Sequence, residues 1–306
     1  MPTIGAVSRA RQDGLTGPAH GLMIGSQFKN RMTILSIGEI LWDVYPDSSR
    51  LGGAPFNFAV DAHRLGHRVL FLSAVGDDER GEAARARVSA LGLDTSFLQT
   101  AAGKSTGHVS VHLDPGGQPD YTIHRPAAYD YFRLSEAELA KLIGLQPDWI
   151  YFGTLYQMDG GARGEVRRLI ESLPLARRFY DVNLRRASYT PELVRDSIAL
   201  AHVVKVNHEE AELFPDLGKV WAAAVTCGEW GCKIRIGVDS AECAATPVKV
   251  ADTVGAGDAF AAAFLHGISQ GWSAARTGDY ANRLGGLVAS RAGAIPDWSA
   301  GELAEL

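Results

Sequence analysis

The chain has 306 residues, of which 46% are hydrophobic and 21% are charged, a composition typical of a globular protein. Thirty basic and 35 acidic side chains give a net charge of -5. Because no Lys/Arg-rich run and no apolar stretch of membrane-spanning length occurs, we expect neither a nucleic-acid partner nor a membrane partner. The spacing of the three cysteines matches neither a zinc site nor a disulfide framework, so we expect a cytoplasmic protein.

The first 31 residues differ from the rest of the chain. They hold four basic residues and one acidic residue, with Gly and Ser scattered among them and no hydrophobic periodicity. They also lack the apolar core of a secretory signal peptide. We predict that residues 1–31 are a disordered N-terminal extension and that residues 32–306 form a single domain.

Short apolar runs alternate with helical patterns from residue 33 onward. Runs typical of buried strands occupy residues 33–38, 69–75, 148–152, 179–182, 202–206, 222–226 and 232–236. Helical patterns lie between several of them, at residues 57–65, 80–91, 135–143 and 164–173. This alternation predicts an α/β domain with a mostly parallel sheet and helices on both of its faces.

Residues 107–124 break this alternation. Polar and apolar residues alternate over 107–114 and again over 120–124, and residues 115–118 between them are typical of a turn. The pattern predicts a β-hairpin. Such a hairpin is either an ordinary edge hairpin or a lid over a binding site, and the local pattern alone does not separate these two interpretations.

The most informative segment is Asp-Thr-Val-Gly-Ala-Gly-Asp-Ala-Phe at residues 252–260. The run 259–265 has no polar side chain, which predicts a buried helix whose N-terminus lies inside the protein. Unpaired amides and the helix dipole favour an anion there, and Gly255 and Gly257 let a ligand approach the backbone closely. A carboxylate at Asp258 repels a phosphate, so its presence at this point needs a reason. Taking a proton from a hydroxyl that attacks the phosphate would be such a reason. The alternative is that Asp258 only caps the helix.

The segment 252–260 closely resembles the signature of the ribokinase-like (PfkB) carbohydrate kinases, and further motifs follow in that family's order between residues 32 and 296. The resemblance implies an α/β, three-layer fold with a small β lid, formed by elements near residues 44–51 and 107–124. It also implies an ATP-dependent kinase in which Asp258 is the general base. The backbone amides of Gly255, Ala256, Gly257 and Asp258 would form the anion hole.

A second cluster lies near the start of the predicted domain. Asp43 follows the first strand, where α/β proteins place ligand-binding groups, and Gly53 precedes a helical pattern that contains Asn57. A carboxylate and an amide suit a polyhydroxylated ligand, but a turn carboxylate and a helix-start asparagine explain them equally well. In the ribokinase-like kinases, an Asp after the first strand and a Gly-Gly-x-x-x-Asn element bind the sugar. The resemblance therefore assigns Asp43, Gly53 and Asn57 to the sugar site.

Residues 181–185 end a later strand with three polar groups. They are similar to the Asp-Pro-Asn-x-Arg segment of fructokinase-like members, with Val182 in place of the proline. The resemblance places Asn183 near the nucleotide and Arg185 where it stabilises the charge of the transferring phosphate. The alternative for Arg185 is an ordinary surface arginine in a loop.

Asn207 and Glu210 end another strand and have the spacing of a capping box. In the ribokinase-like kinases, an Asn-x-x-Glu element at this place orders Mg²⁺ and its waters near the phosphates. The resemblance therefore assigns Asn207 to the nucleotide and Glu210 to the metal, and both interpretations can hold at once.

Three further positions match the family with weaker signals. Thr226 and Gly228 are similar to a Thr-x-Gly turn that contacts nucleotide phosphates, although alone they are typical of a plain turn. Asn282 matches a position beside the nucleotide, with a solvated helix face as the alternative. Asp252 matches a position that borders a monovalent-cation site in many relatives. The resemblance thus implies ATP as cosubstrate, Mg²⁺, and K⁺ as a further cofactor.

These motifs favour a fructokinase-like enzyme that phosphorylates fructose or a related ketose. Ribose, 2-keto-3-deoxygluconate, a nucleoside or an inositol-type polyol stay open as substrates, as does a catalytically silent sugar-binding relative. A dinucleotide oxidoreductase is excluded because no Gly-x-Gly-x-x-Gly turn follows the first strand. Many relatives dimerise through their lids, so a homodimer is expected here.

One segment departs from the family pattern. Residues 208–225 leave room for only a short helix near 209–214, whereas relatives have a longer helical connection. This length is close to the minimum for a crossover between parallel strands, so the local packing and part of the nucleotide rim are expected to differ.

Overall fold

The structure is a computed structural model that describes residues 31–113, 119–185, 188–217 and 219–305. The predicted extension lies almost wholly outside the described residues, and so does the predicted turn at 115–118. Among the described residues, no helix combines the length and the apolar character needed to cross a membrane.

Strands and helices alternate along most of the described chain. The strands are β1 (Thr33–Ile37), β2 (Leu41–Val44), β3 (Ser49–Gly52), β4 (Arg68–Gly76), β5 (Leu98–Ala101), β6 (Gly107–Leu113), β7 (Pro119–His124), β8 (Trp149–Gly153), β9 (Arg177–Asp181), β10 (Val203–Asn207), β11 (Ala222–Thr226), β12 (Cys232–Ile236) and β13 (Asp239–Cys243). The α-helices are α1 (Ala54–Arg64), α2 (Glu79–Ala90), α3 (Glu136–Leu145), α4 (Gly160–Ser172), α5 (Pro191–Leu200), α6 (His208–Leu213), α7 (Ala256–Ser269), α8 (Ala274–Ala289) and α9 (Ala300–Glu305).

Nine of these strands form the main sheet, in the order β13-β12-β11-β10-β9-β8-β1-β4-β5. Every neighbouring pair from β11 to β5 is parallel, and only β12 and β13 continue the sheet in antiparallel pairs. Parallel pairs need crossover connections, which bring helices to the faces of the sheet. The prediction of a mostly parallel sheet is confirmed.

The core consists of two buried clusters, one on each face of this sheet. Side chains of β1 alternate between them, so that Ile34 belongs to one cluster and Leu35 to the other. The first cluster includes Phe264 and other residues of α1, α7 and α8, and the second includes Leu169 and other residues of α3 and α4. Strands covered on both faces show continuous apolar runs, as the sequence does. The three-layer α/β fold is therefore confirmed.

A second, four-stranded sheet has the order β3-β2-β6-β7. The predicted hairpin corresponds to β6 and β7, which pair in antiparallel register. The predicted lid element near residues 44–51 comprises the end of β2, a turn and most of β3. In the turn, Tyr45 N–H donates to the Ser48 carbonyl oxygen at 2.9 Å. Asp43 lies opposite Arg50 on β3 and opposite Val109 on β6. These three side chains therefore share one face of the small sheet.

The crossover from β10 to β11 is short, as the sequence predicts. In the described part of it, α6 has six residues. The two strands it joins nevertheless pair in parallel over five positions. The short connection thus keeps the order of the sheet.

Candidate active site

The predicted site residues gather at one edge of the main sheet. The carboxyl ends of β1, β8, β9 and β10 meet there because these strands are parallel, and α/β proteins bind ligands at such an edge. Asp181 ends β9, Asn207 ends β10 and Thr226 ends β11. Asp258, in the first turn of α7, joins them from a distant part of the sequence.

Residues 255–258, called the anion turn below, start the buried helix α7. Gly255 has φ +82°, and a Cβ at this residue would lie 2.1 Å from the carbonyl oxygen of Ala294, so only glycine fits. The amide of Ala256 donates to Thr253 O at 3.3 Å, and the amide of Asp258 donates to Gly255 O at 3.0 Å. The amides of Gly255 and Gly257 are therefore the better candidates for binding an anion.

Asp258 is buried and has a defined hydrogen-bond partner. The Asn57 side-chain amide donates to Asp258 Oδ2 at 2.8 Å. Burial and the charge of Asp181 raise the pKa of Asp258 to about 6, although the Asn57 hydrogen bond, Lys205 and Arg185 lower it. A carboxyl with a pKa close to the working pH suits general-base catalysis.

The predicted sugar-binding residues converge beside this carboxyl. A Cβ on Gly52 would lie 3.3 Å from Asp43 Oδ2 and 3.8 Å from Asn57 Oδ1. Gly53 has φ +116°, and a Cβ there would meet the carbonyl oxygen of Glu39 at 2.5 Å. Asn57 Oδ1 is buried without a hydrogen-bond partner, which leaves an acceptor that a ligand hydroxyl would satisfy. The predicted Asp43, Gly53 and Asn57 thus form one group.

Arg185 is exposed at the mouth of this group. Its positive charge lowers the pKa of Glu39, Asp43 and Asp258, so the guanidinium is close enough to act on all three carboxyls. Asn183, two residues earlier, adopts a left-handed backbone conformation with φ +38°. This turn redirects the chain after β9 toward the crevice.

The Asn207 and Glu210 pair forms the capping box that the sequence predicts. Asn207 Oδ1 accepts the Glu210 amide at 2.8 Å, and Glu210 Oε2 accepts the Asn207 amide at 2.8 Å. Glu210 Oε1 also accepts the amide of Leu184 at 2.6 Å. Burial raises the pKa of Glu210, and the charge of Lys205 opposes that rise. Glu210 therefore connects the start of α6 to the loop that carries Arg185.

The remaining predicted nucleotide residues lie along the neighbouring strands. Thr226 is directly opposite Asn207 in the parallel pair of β10 and β11, and Gly228 follows it with φ +56°. Asn282 does not lie on a solvated helix face. Its side-chain nitrogen donates to the carbonyl oxygens of Cys243 and Ala244 at 3.2 and 2.9 Å. The Asn282 side chain thus holds the chain that leaves β13.

Asp252 lies where the C-terminal loop meets the small sheet. Its Oδ2 accepts Arg50 Nη1 at 2.9 Å and the Gly293 amide at 3.0 Å. Its Oδ1 accepts the Val254 amide at 3.1 Å. Asp252 therefore stabilises the approach to the anion turn.

Sequence reasoning missed a buried ion pair below the anion turn. Lys205 Nζ lies 3.0 Å from Asp181 Oδ1, and Tyr151 Oη donates to Asp181 Oδ2 at 2.9 Å. The available signal was a single lysine in the otherwise apolar β10, since a buried lysine requires a partner.

Glu39 is the second residue that sequence reasoning missed. It follows β1 closely and is almost fully buried, and its Oε2 has no hydrogen-bond partner. Burial raises the pKa of Glu39 to about 7, while the positive charge of Arg185 lowers it. Its position after the first strand was the signal that could have found it.

The raised carboxyl pKa values predict how stability depends on pH. Burial raises the pKa of Glu39 and of Asp61 to about 7, well above their values in an unfolded chain. The folded state then holds protons that the unfolded state has lost, so the contribution of these two carboxyls to the free energy of unfolding falls as pH rises through 7. We expect a loss of about 1 kcal/mol for each group between about pH 6.5 and 8.

Urea unfolding at these two pH values measures this effect. Glu39→Gln should remove the share of this loss that Glu39 causes, whereas the exposed control Glu171→Gln should leave the pH dependence unchanged. The histidines with lowered pKa values act in the opposite direction, because in the unfolded chain they are about half protonated near pH 6.5 and lose that proton as pH rises. The difference between wild type and Glu39→Gln therefore isolates the contribution of the carboxyl. A Glu39→Gln variant with the same pH dependence as the wild type would contradict the prediction.

Comparison with known proteins identifies the family of the chain. Residues 38–300 match the family described as pfkB family carbohydrate kinase. The chain is 30% identical to an uncharacterized sugar kinase, PH1459, from Pyrococcus horikoshii, over 87% of this chain and 92% of that protein. The crystal structure of PH1459 in complex with ATP superposes with a TM-score of 0.77 at 27% identity, and the match covers 89% of this chain and 97% of that chain.

Two further relatives carry more specific names. The chain is 28% identical to Fructokinase-1 of Oryza sativa subsp. japonica, over 86% of this chain and 93% of the relative. It is 29% identical to aminoimidazole riboside kinase of Salmonella typhimurium, over 85% of this chain and 89% of the relative.

The fold and the site together define a carbohydrate kinase of the α/β, three-layer type. The chain belongs to the pfkB family of carbohydrate kinases. Its reaction class is the ATP-dependent phosphorylation of a sugar.

Proposed function

We propose that this kinase transfers the γ-phosphate of ATP to a hydroxyl of fructose or a related ketose, with Asp258 as the general base. The observation that carries the proposal is the contact between Asn57 and Asp258 at 2.8 Å. It joins the candidate sugar group to the carboxyl at the start of α7. The hydroxyl that meets both residues is then the one that loses its proton.

The surrounding residues have separate roles in this proposal. Asp43 and Asn57 bind sugar hydroxyls, and the backbone at Gly53 lets the sugar approach closely. The amides of the anion turn stabilise charge on the transferring phosphate. Arg185, whose charge already faces Asp258, adds to that stabilisation from the mouth of the crevice.

ATP is proposed to lie along the ends of β10 and β11. Asn183, Asn207, Thr226 and Gly228 would contact its phosphates, and Asn282 would border the nucleotide through the chain segment that it holds.

We propose that Mg²⁺ enters with the nucleotide. Among the described residues, no group of three or more His, Cys, Asp or Glu side chains could hold a metal ion, and Mg²⁺ commonly binds through one or two carboxylates plus substrate phosphates. Glu210 fits this use, since each carboxylate oxygen has two lone pairs and one amide donor occupies only one of them. When bound, Mg²⁺ neutralises phosphate charge.

The residues around Asp252 do not fit the K⁺ ion that the family resemblance implies. The Arg50 guanidinium, 2.9 Å from Asp252 Oδ2, already supplies a positive charge there. Three N–H donors, from Arg50, Val254 and Gly293, engage the two carboxylate oxygens of Asp252. We propose no role for K⁺ in this kinase.

The alternatives to a ketose are a riboside, an anionic sugar and a catalytically silent relative. A riboside is the strongest alternative, because one relative is an aminoimidazole riboside kinase. An anionic sugar such as 2-keto-3-deoxygluconate would meet the carboxyls of Glu39, Asp43 and Asp258, which Arg185 faces from the mouth. A catalytically silent sugar-binding relative has no need for a raised pKa at Asp258.

A coupled assay of ADP release tests the proposed substrate. With Mg²⁺ and ATP, fructose or a close ketose should give a kcat/KM at least tenfold above ribose, nucleosides and sugar acids. A tenfold ratio equals about 1.4 kcal/mol of transition-state stabilisation. A nucleoside or sugar acid that is preferred tenfold would overturn the choice of substrate, and no turnover with any sugar would favour the silent relative.

Three further proposals concern the chain as a whole. We propose that residues 32–306 act as one cytoplasmic kinase domain, that residues 1–31 take no part in catalysis, and that the small sheet is a lid through which two copies pair. The lid proposal is supported by Asp43, which lies in the small sheet and takes part in the sugar group.

A further inference from the structure

The buried pair of Asp181 and Lys205 needs an explanation that packing does not provide. Lys205 Nζ lies 3.0 and 3.1 Å from the two carboxylate oxygens of Asp181. Asp181 has no exposed surface and Lys205 is only 5% exposed. Removing two charges from water is so unfavourable that an apolar pair of similar volume is often as stable or more stable. A role in the site would explain why the pair is charged.

The pair lies directly beneath the anion turn. A Cβ on Gly257 would be 3.5 Å from Lys205 Nζ, so the ammonium group is close to the backbone that would face the phosphate. Its positive charge adds to the positive end of the α7 dipole. The Tyr151 hydroxyl, which donates to Asp181 Oδ2 at 2.9 Å, fixes the carboxylate on the other side.

The two members of the pair act on Asp258 in opposite directions. The negative charge of Asp181 raises the pKa of Asp258, and the positive charge of Lys205 lowers it. The Asp181 charge therefore favours a basic Asp258, while the Lys205 charge favours phosphate near the anion turn.

We propose that Asp181 and Lys205 are positioning residues of the catalytic site, with distinct electrostatic roles. The Lys205 ammonium stabilises negative charge that gathers at the anion turn during phosphoryl transfer. The Asp181 carboxylate holds that ammonium in place and keeps Asp258 basic enough to take the proton of the sugar hydroxyl. This inference rests on the proposed function and concerns how the site works, whichever sugar it accepts.

Other groups also face Asp258 and contribute to its titration. They come from the segment after β1, from α1, from β8 and from the loop after β9, and they are Glu39, Asn57, Asp61, Tyr151 and Arg185. These groups are the same in every variant of the pair, so comparisons among those variants isolate the effects of Asp181 and Lys205.

The test compares pH profiles of kcat for the full-length wild type, Asp181→Asn, Lys205→Met and the double variant. In Asp181→Asn, the acid limb of the profile should move to lower pH by roughly one unit, because Asp258 loses a neighbouring negative charge. In Lys205→Met, the acid limb should lie at higher pH than in Asp181→Asn. Its kcat at the plateau should fall about 10²-fold, the size seen when one group that stabilises transition-state charge is removed.

The double variant separates an electrostatic role from a structural one. It replaces the ion pair by two uncharged side chains of similar size, so melting temperature should recover toward the wild-type value while kcat stays low. It also keeps the test valid if Lys205→Met fails to fold. The matched control is Glu165→Gln on α4, a buried carboxylate 3.2 Å from Arg168, which should lower stability without moving the acid limb.

Two results would overturn the inference. One is an unchanged acid limb in both single variants, and the other is a double variant that regains wild-type kcat. If the wild type phosphorylates no sugar, the proposed function fails separately. The pair is then tested by ¹³C NMR titration of the Asp258 carboxyl in the same variants, with the same directions expected.

Discussion

Replacing Asp258 by asparagine is expected to lower the turnover number by about 10²–10⁴-fold. Asparagine has nearly the same shape, and its side-chain oxygen can still accept the Asn57 amide, but it cannot take the proton of the attacking hydroxyl. The loss corresponds to roughly 3–5 kcal/mol of activation free energy. ATP affinity should hold or increase, because a negative charge near the phosphates has been removed.

Turnover, ATP affinity and melting temperature need to be measured together for Asp258→Asn. Folding should change little, since the substitution removes a buried ionisable group and keeps the volume of the side chain. Asn57→Asp is not a suitable control, because it would place a second carboxyl against that of Asp258. The control is Glu165→Gln, which removes a buried carboxylate outside the site. The N-cap of α7 is Gly255 and the Asp258 side chain does not cap the helix, so turnover within a few-fold of the wild type would leave Asp258 only as the acceptor of the Asn57 hydrogen bond.

Replacing Gly255 by alanine should combine a large loss of activity with a clear loss of stability. The φ of +82° is strained for any other residue, and the new Cβ would lie 2.1 Å from Ala294 O. Backbone must therefore shift in the anion turn or in the C-terminal loop. We expect about 1–3 kcal/mol of destabilisation and a fall in kcat of about 10²–10³-fold, because the anion-binding amides lose their alignment.

Gly103→Ala is the matched control for this variant. Gly103 also has a positive φ, +69°, but no atom lies within 4 Å of the position of its Cβ. Gly103→Ala therefore introduces the same kind of backbone strain but no steric clash of the new Cβ, and Gly103 lies outside the site. Equal effects of the two substitutions on kcat would show that the turn at Gly255 is not shaped for catalysis.

The sequence predicted the fold where local pattern and burial agree. Residues 222–226 and 232–236 were predicted as strands at the bounds of β11 and β12, because β11 is a short apolar run and β12 alternates apolar with charged residues. The start of α7 was predicted because a helix without polar side chains, preceded by a glycine-rich turn, indicates a buried helix N-terminus that can bind an anion. The capping box at Asn207 and Glu210 was also visible in its spacing.

Features that depend on tertiary neighbours were not predictable in this way. The partner of Lys205 is Asp181 because β9 and β10 are adjacent in the sheet. The sequences of the two strands do not determine which strands become neighbours. The turn that separates β2 from β3 was missed, since short strands of a small sheet mix polar and apolar residues. The hydrogen bonds of Asn282 to the chain after β13 likewise depend on how α8 packs against that strand.

The contact between Asn57 and Asp258 joins positions that are 201 residues apart in the chain. The nearby ion pair of Arg50 and Asp252 spans 202 residues. Closing loops of this length is slow compared with forming local helices and hairpins. During synthesis on the ribosome, the general base therefore meets its amide partner only after nearly the whole domain has emerged. Recovery of catalysis during refolding thus reports the last long-range closure, whereas circular dichroism reports the earlier local steps.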